Sequence, residues 1–117
     1  MFKACTGCGH AWADRDALLS DPAVRLQGYQ VNFVDLEAGY FLFTHLVKGC
    51  ESTFAVRAGA FVDLYDGPVF EERLTGEREC PGYCLKKTAL EPCPAKCECA
   101  FVREVLQVIA HWRKAAA

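Results

Sequence analysis

The chain has 117 residues, of which 52% are hydrophobic, and a formal net charge of −2. This length fits a single cysteine-rich domain, residues 1–117, with enough apolar side chains for a core, so the eight cysteines are not needed merely to hold a coreless chain together. The small net charge excludes a general attraction to nucleic acid, although residues 77–117 carry seven Lys or Arg against five Asp or Glu.

The N-terminus and the apolar segments predict the compartment. The chain does not start with a basic segment followed by an apolar run, and no stretch approaches the ~18 apolar residues of a membrane span. We therefore expect a cytoplasmic protein with no secretory signal and no membrane contact. In a reducing cytoplasm, clustered cysteines are expected to bind metal or to take part in catalysis rather than to form disulfides.

Several short elements are predicted in the first two thirds of the chain. Asp14 is a helix-capping residue, and the helix that it starts should end near Asp21. Alternating apolar and polar residues over 24–33 predict a half-buried strand, with Gly28 as a bulge or bend. Two more strands are predicted, at 40–47 and at 53–57. The segment 40–47 is apolar on both faces, so it should be the central strand. A short helix is predicted at 58–65.

The last third contains a proline-rich segment and a helix. Pro81, Pro92 and Pro94 exclude a long helix there. Apolar residues at helical spacing over 101–112 predict an amphipathic helix of four turns, with Arg103 on its polar face. These elements predict an α+β fold, in which a small antiparallel sheet of three to four strands packs against a C-terminal amphipathic helix and cysteine metal sites staple the domain.

The first cysteine group predicts a metal site. Two residues separate Cys5 from Cys8, which lets both sulfurs point at one cation, and the following glycine lets backbone amides turn toward the thiolates. Cys50 is the expected third ligand and His45 the fourth, a set that suits tetrahedral zinc. Two alternatives stay open, namely that His45 is a core histidine bonded to a backbone carbonyl, or that His10 is the fourth ligand.

The motif Cys5-Thr6-Gly7-Cys8-Gly9, with Trp12 shortly after it, resembles the first knuckle of zinc-ribbon and rubredoxin-like proteins. The resemblance covers about ten residues and implies a metal held by Cys5 and Cys8. A full zinc ribbon supplies a second C-x-x-C knuckle, whereas this chain has His45-x4-Cys50 instead.

The second cysteine group is denser and matches no family spacing. We expect Cys80, Cys84, Cys93 and Cys97 to bind a second zinc ion, with Cys99 as a spare thiol or alternative ligand. An iron–sulfur cluster is a second interpretation, although the C-x2-C spacing of bacterial ferredoxins is missing, and disulfides or free thiols are a third. A spare Cys99 at the start of the last helix should be reactive, because the helix dipole lowers the pKa of a thiol there.

No catalytic motif accompanies the cysteines, and no general base has a recognisable position beside them. We therefore expect a small zinc-binding module without catalytic activity that serves as a protein-interaction or regulatory subunit. The alternative is a redox protein that uses an iron–sulfur cluster or reactive thiols. A third interpretation, a nucleic-acid-binding zinc protein, rests only on the mildly basic last third.

Overall fold

The computed structural model describes residues 1–78 and 80–115, and it has an α+β fold. A three-stranded antiparallel sheet lies beside a two-stranded ribbon. The strands and helices are β1 (Lys3–Ala4), β2 (Ala11–Trp12), α1 (Arg15–Ser20), β3 (Val24–Gln30), β4 (Tyr40–His45), β5 (Thr53–Arg57) and α2 (Ala100–Ala110). The predicted fold class is therefore confirmed.

The two-stranded ribbon was not predicted from the sequence. Strands β1 and β2 pair antiparallel, with Lys3 opposite Trp12 and Ala4 opposite Ala11. Two residues are too few for a recognisable alternation of apolar and polar side chains, so no sequence pattern indicated the pairing. The ribbon brackets the first cysteine turn and fixes its two ends.

The larger sheet has the order β3-β4-β5, and β4 is the central strand, as predicted. The register between β3 and β4 shifts between Leu26 and Gly28, which confirms the bulge at that glycine. A Cβ atom at Gly28 would lie 2.6 Å from the carbonyl oxygen of Lys87. The next residue, Tyr29, donates its backbone N–H to that same oxygen over 2.8 Å. The bulge thus lets the segment of the late cysteines dock directly onto β3.

The first helix follows its sequence signals. The side chain of Asp14 caps α1 by accepting a hydrogen bond of 2.8 Å from the backbone N–H of Ala17. Leu18 and Leu19 are both buried against the sheet. The helix ends at Ser20, one residue before the predicted position.

The predicted helix at 58–65 is instead two separate 3-10 turns, Ala58–Ala60 and Val62–Leu64. Phe61 lies between them and is fully buried, with its ring stacked on that of Phe41 at a centroid distance of 5.5 Å. The burial of Phe61 agrees with the prediction. The turns are 3-10 turns because their hydrogen bonds run from a backbone N–H to the carbonyl oxygen three residues earlier.

The C-terminal helix α2 is shorter than predicted, since it ends at Ala110. Its predicted core face is buried at Val102, Val105, Leu106 and Ile109. The placement of Arg103 on the solvent face is wrong, because this side chain is completely buried. Within residues 1–78 and 80–115, no helix combines the length and the apolar character that a bilayer crossing needs.

Candidate metal centre

The first half of the site is the turn between β1 and β2. Cys5 follows β1 directly and donates its backbone N–H to the carbonyl oxygen of His10 over 2.8 Å, while Gly9 donates to the carbonyl oxygen of Cys5 over 2.9 Å. Gly9 has a φ of +79°, a left-handed conformation that a side chain would strain. These bonds fold the chain into a tight knuckle that presents Cys5 and Cys8 on the same side.

Gly7 is required in this turn for a different reason. A Cβ atom there would lie 1.9 Å from Ser52 Oγ and 3.2 Å from Cys50 Sγ. The knuckle therefore packs closely against the loop that carries the third cysteine, and only a glycine leaves room for that approach.

The second half of the site is the end of β4 and the loop that follows it. His45 is the last residue of β4 and donates its backbone N–H to the carbonyl oxygen of Ser52 over 2.9 Å. Cys50 is held in the loop by a 2.9 Å hydrogen bond from its N–H to the carbonyl oxygen of Val47. Gly49, with a φ of +88°, makes the reversal between them. The hairpin between β4 and β5 thus returns Cys50 toward His45.

The two halves bring together three cysteines and one histidine. The donor atoms of Cys5, Cys8, His45 and Cys50 all lie within 4.8 Å of one another. The sulfurs of Cys5 and Cys50 are 3.5 Å apart, as are Cys8 Sγ and His45 Nδ1. Donors that share one tetrahedral zinc ion, at about 2.3 Å for sulfur and about 2.0 Å for nitrogen, are separated by roughly 3.5–3.8 Å. This group is therefore able to hold a metal ion.

Backbone amides already favour thiolates in this group. The N–H of Ser52 donates to the sulfur of Cys50 and, with the serine hydroxyl, lowers the pKa of Cys50 to about 6. The N–H of His10 also favours the thiolate of Cys8, but desolvation and the adjacent sulfurs of Cys50 and Cys5 outweigh it and raise the pKa of Cys8. Neighbouring thiolates repel one another, and a bound cation removes that repulsion.

The surroundings distinguish between the two candidate histidines. His45 is buried, and its Nδ1 faces Cys8 rather than a backbone carbonyl. The side chain of His10 is exposed, and it lies outside the converging group. Its ring packs against the rings of Trp12 and His45, with centroid distances of 5.0 and 5.5 Å. His45, and not His10, is thus the fourth member of the group.

The late cysteines gather at the start of α2. The sulfurs of Cys84 and Cys99 lie 3.1 Å apart, and those of Cys99 and Cys97 lie 3.4 Å apart. Cys97 Sγ also accepts the backbone N–H of Leu74 over 3.2 Å. Cys99 therefore lies between two other sulfurs.

The two remaining cysteines are only half-buried. Cys80 Sγ accepts the N–H of Gly82 over 3.4 Å, and Cys93 Sγ lies 3.8 Å from the carbonyl oxygen of Ala95. In the described part of the chain, the one converging group of three or more donors is the first one, at the N-terminal knuckle. The second zinc site, at Cys80, Cys84, Cys93 and Cys97, stays a prediction.

The interpretation of Cys99 as a reactive thiol is wrong, because the side chain is buried and its pKa is raised. Cys99 is at the N-cap of α2, as predicted, but it is buried. A hydrogen bond to Cys84, burial and the negative charge of neighbouring sulfurs raise its pKa, which outweighs the helix dipole. The favoured thiolate is Cys84, since the hydrogen bond that it shares with Cys99 and the positive charge of Arg103 lower the pKa of Cys84 to about 7.

Arg103 is the residue in this region that sequence reasoning missed. Its Nε donates to the carbonyl oxygen of Glu91 over 2.7 Å, and its Nη2 donates to the carbonyl oxygen of Ala89. Its Nη1 lies 4.0 Å from Cys84 Sγ. No sequence signal distinguished this arginine from the polar Glu104 that follows it in α2.

In comparisons with known proteins, no family model, no curated protein and no solved structure matches this chain. The metal-binding group therefore rests on its geometry alone. The resemblance of the Cys5–Cys8 turn to zinc-ribbon knuckles stays a local prediction.

Proposed function

We propose that this chain is a small zinc-binding module without catalytic activity that acts through contacts with a protein partner. The observation that supports it best is the complete donor set of three cysteines and one histidine around one point. A catalytic zinc ion keeps one position open for water or substrate, whereas a structural zinc ion is closed by four protein ligands. A closed site at this point makes the metal a structural element.

The donor chemistry favours zinc over the other common metals. Three thiolates with one imidazole form a soft, tetrahedral set, which suits zinc better than magnesium, calcium or manganese. The spacing of the four donors also matches one ion more closely than an iron–sulfur cluster, whose cysteines are held apart by the cluster.

The proposed metal joins two parts of the chain that are distant in sequence. It would link the knuckle between β1 and β2 to the loop between β4 and β5. Structural zinc contributes about 10–16 kcal/mol of apparent binding free energy in zinc-finger peptides, which is comparable to the whole stability of a small domain. Metal loss should therefore loosen the N-terminal ribbon most.

The loop that carries His45 and Cys50 also supports a role in protein contact. Leu46 and Val47 lie between these two ligands and are 45% and 40% exposed. The metal would hold these apolar side chains rigidly at the surface, which lowers the entropy lost when a partner buries them. We place the protein in the cytoplasm, because a reducing compartment keeps clustered cysteines available for metal binding.

Metal analysis tests the proposed site. The Cys5→Ser/Cys50→Ser double variant should contain one zinc equivalent per chain fewer than the wild type, while His10→Ala should keep the wild-type content. Equal zinc in the double variant and the wild type, or a wild type that stays fully folded after exhaustive chelation, would contradict the proposal.

The partner contact needs a variant that leaves the ligands intact. Leu46→Ser/Val47→Ser should keep the zinc content and the thermal stability of the wild type. When a photo-crosslinking residue is placed at position 48 of the otherwise wild-type chain, illumination in cells should link the chain to a second protein. The same residue in the double variant should give no crosslinked product. A crosslinked product that persists undiminished would remove this loop as the contact surface.

A further inference from the structure

The late cysteines lie around a buried positive charge. The sulfur of Cys99 lies 3.1 Å from that of Cys84 and 3.4 Å from that of Cys97, although the three do not converge within 4.8 Å of one another as the N-terminal donors do. The two distances from Cys99 are well above the S–S bond length of a disulfide, which is about 2.05 Å. They are below the distance of roughly 3.7 Å between two sulfurs that share one zinc ion. All three cysteines are buried.

The positive charge belongs to Arg103, which is 0% exposed. Its guanidinium group lies near two aromatic rings, with its central carbon 5.6 Å from the ring centroid of Tyr83 and 6.0 Å from that of Tyr29. Among the described residues, the ion pairs are Arg15–Asp63 and Arg73–Glu98, and neither involves this arginine. A buried cation needs a nearby anion, because burial removes the water that otherwise stabilises its charge.

The sulfur of Cys84 faces Arg103 and, as a thiolate, can supply this anion. Arg103 Nη1 points at Cys84 Sγ across 4.0 Å, while its other nitrogens are held by carbonyl oxygens. Three or four thiolates around a divalent cation have a net negative charge, which a neighbouring arginine partly neutralises. With neutral thiols, Arg103 would have no ion-pair partner within 4.0 Å among the described residues.

We infer that Cys84, Cys97 and Cys99 bind a second thiophilic divalent cation, and that Arg103 balances the charge of this thiolate centre. Cys80 and Cys93 are the two candidates for the fourth ligand, since both are half-buried and belong to the same segment. The set makes Cys99 a ligand, whereas the spacing had offered it only as an alternative to Cys80, Cys84, Cys93 and Cys97. The inference is independent of the proposed N-terminal zinc site, with which it shares no residue.

Backbone contacts support a centre rather than a chance gathering. Cys97 Sγ accepts the N–H of Leu74, and Cys80 Sγ accepts the N–H of Gly82, two residues further along the chain. Amide donors that point at cysteine sulfurs stabilise thiolates, as they do in the N-terminal knuckle. Bound metal would fasten the proline-rich segment to the first turn of α2.

Cobalt titration of the reduced full-length chain tests the inference, because Co²⁺ in a tetrahedral thiolate site absorbs visible light. The wild type should bind two equivalents, and Cys97→Ser/Cys99→Ser and Cys5→Ser/Cys50→Ser should each bind one. If the first variant loses no equivalent, the second centre is overturned. If Cys5→Ser/Cys50→Ser alone keeps the wild-type number of cobalt equivalents, the N-terminal site is overturned instead. The two proposals are therefore tested independently.

A charge test examines the role of Arg103. Arg103→Met should weaken the binding of the second equivalent at least tenfold and leave the first unchanged, and Arg103→Lys should restore part of the loss. Equal affinities in the wild type and Arg103→Met would overturn the charge-balancing role.

Native mass spectrometry of the wild type keeps the inference testable if the variants fail to fold. Protein purified without oxygen should retain two zinc ions and eight reduced cysteines. One zinc ion with a Cys84–Cys99 disulfide would overturn the inference in favour of thiol redox chemistry. Iron with acid-labile sulfide would overturn it in favour of a cluster.

Discussion

The indole ring of Trp12 meets the imidazole ring of His45 edge-on, with centroids 5.2 Å apart. Trp12 also stacks on Phe54 at 5.3 Å and donates its Nε1–H to the carboxylate of Asp21 over 2.9 Å. One candidate ligand is therefore in direct contact with the core of the larger sheet. A metal bound by His45 would therefore be linked to the packing of the core through this tryptophan.

Trp12 should report metal loss by its fluorescence. In a Trp112→Phe background, chelation should shift the Trp12 emission to the red, because loosening of the N-terminal ribbon exposes a buried indole to water. The Trp12→Phe chain, whose remaining Trp112 donates to Ser20 Oγ over 3.2 Å, is the control and should change much less. An unchanged Trp12 spectrum after complete zinc removal would show that the ribbon does not depend on the metal.

His45 and His10 form a matched pair of substitutions. Loss of a residue that only supports a metal ligand typically weakens metal binding by about 10–100-fold. His45→Ala removes a proposed ligand, so it should weaken zinc binding at the N-terminal site by more than this. His10→Ala should leave zinc affinity nearly unchanged, since that ring is exposed and lies outside the donor group. Competition with a coloured chelator measures both affinities. A larger loss in His10→Ala than in His45→Ala would reverse the ligand assignment.

Gly7 and Gly9 should respond very differently to alanine. Gly7→Ala places a Cβ atom 1.9 Å from Ser52 Oγ, so the knuckle must move away from the Cys50 loop. Overpacking of this kind costs about 1–3 kcal/mol, and we expect weaker zinc binding as well. Gly9→Ala meets no atom within 4 Å and should cost only the roughly 1 kcal/mol of a left-handed conformation. Urea unfolding of the zinc-loaded variants measures the difference, and similar losses would contradict the close approach.

Tyr29→Phe should be neutral or stabilising at neutral pH. The tyrosine is 1% exposed, and its hydroxyl has no hydrogen-bond partner among the described residues. Burial of an unpaired hydroxyl costs about 1–3 kcal/mol, which the substitution removes. A clearly less stable variant at neutral pH would show that the hydroxyl has a partner.

The same substitution should change the pH dependence of stability. Burial, together with the negative charge of Cys84 and Cys99, raises the pKa of Tyr29 above its usual range. The unfolded chain loses this proton near about pH 10, while the folded chain keeps it, so folding becomes less favourable as the pH rises further. Urea unfolding at neutral pH and at about pH 10.5 should show that the advantage of Tyr29→Phe grows with pH. An advantage that shrinks over this range would contradict the raised pKa.

Local sequence signals were sufficient where neighbouring residues determine the structure. The cap at Asp14, the bulge at Gly28 and the central strand with apolar residues on both faces were all predicted and confirmed. The N-terminal donor group was predictable for the same reason. The C-x-x-C-G turn orients two sulfurs locally, and a strand followed by a tight loop returns Cys50 toward His45.

The long-range contacts were not predictable in the same way. The period of α2 determines which residues share a face of the helix, but it does not determine which faces the rest of the chain covers. The segment at Ala89 and Glu91 packs over the side that should have faced solvent, and its carbonyl oxygens bind Arg103 there.

The sequence by itself determined the strands of the larger sheet, the two α-helices, the two cysteine groups and the metal-binding chemistry expected of the first group, because these depend on spacing along the chain. Only the tertiary structure decided that His45 rather than His10 joins the first group and that Cys99 is buried between two sulfurs. It also decided that Arg103 faces Cys84. These three outcomes depend on how distant segments pack, which spacing along one segment does not specify.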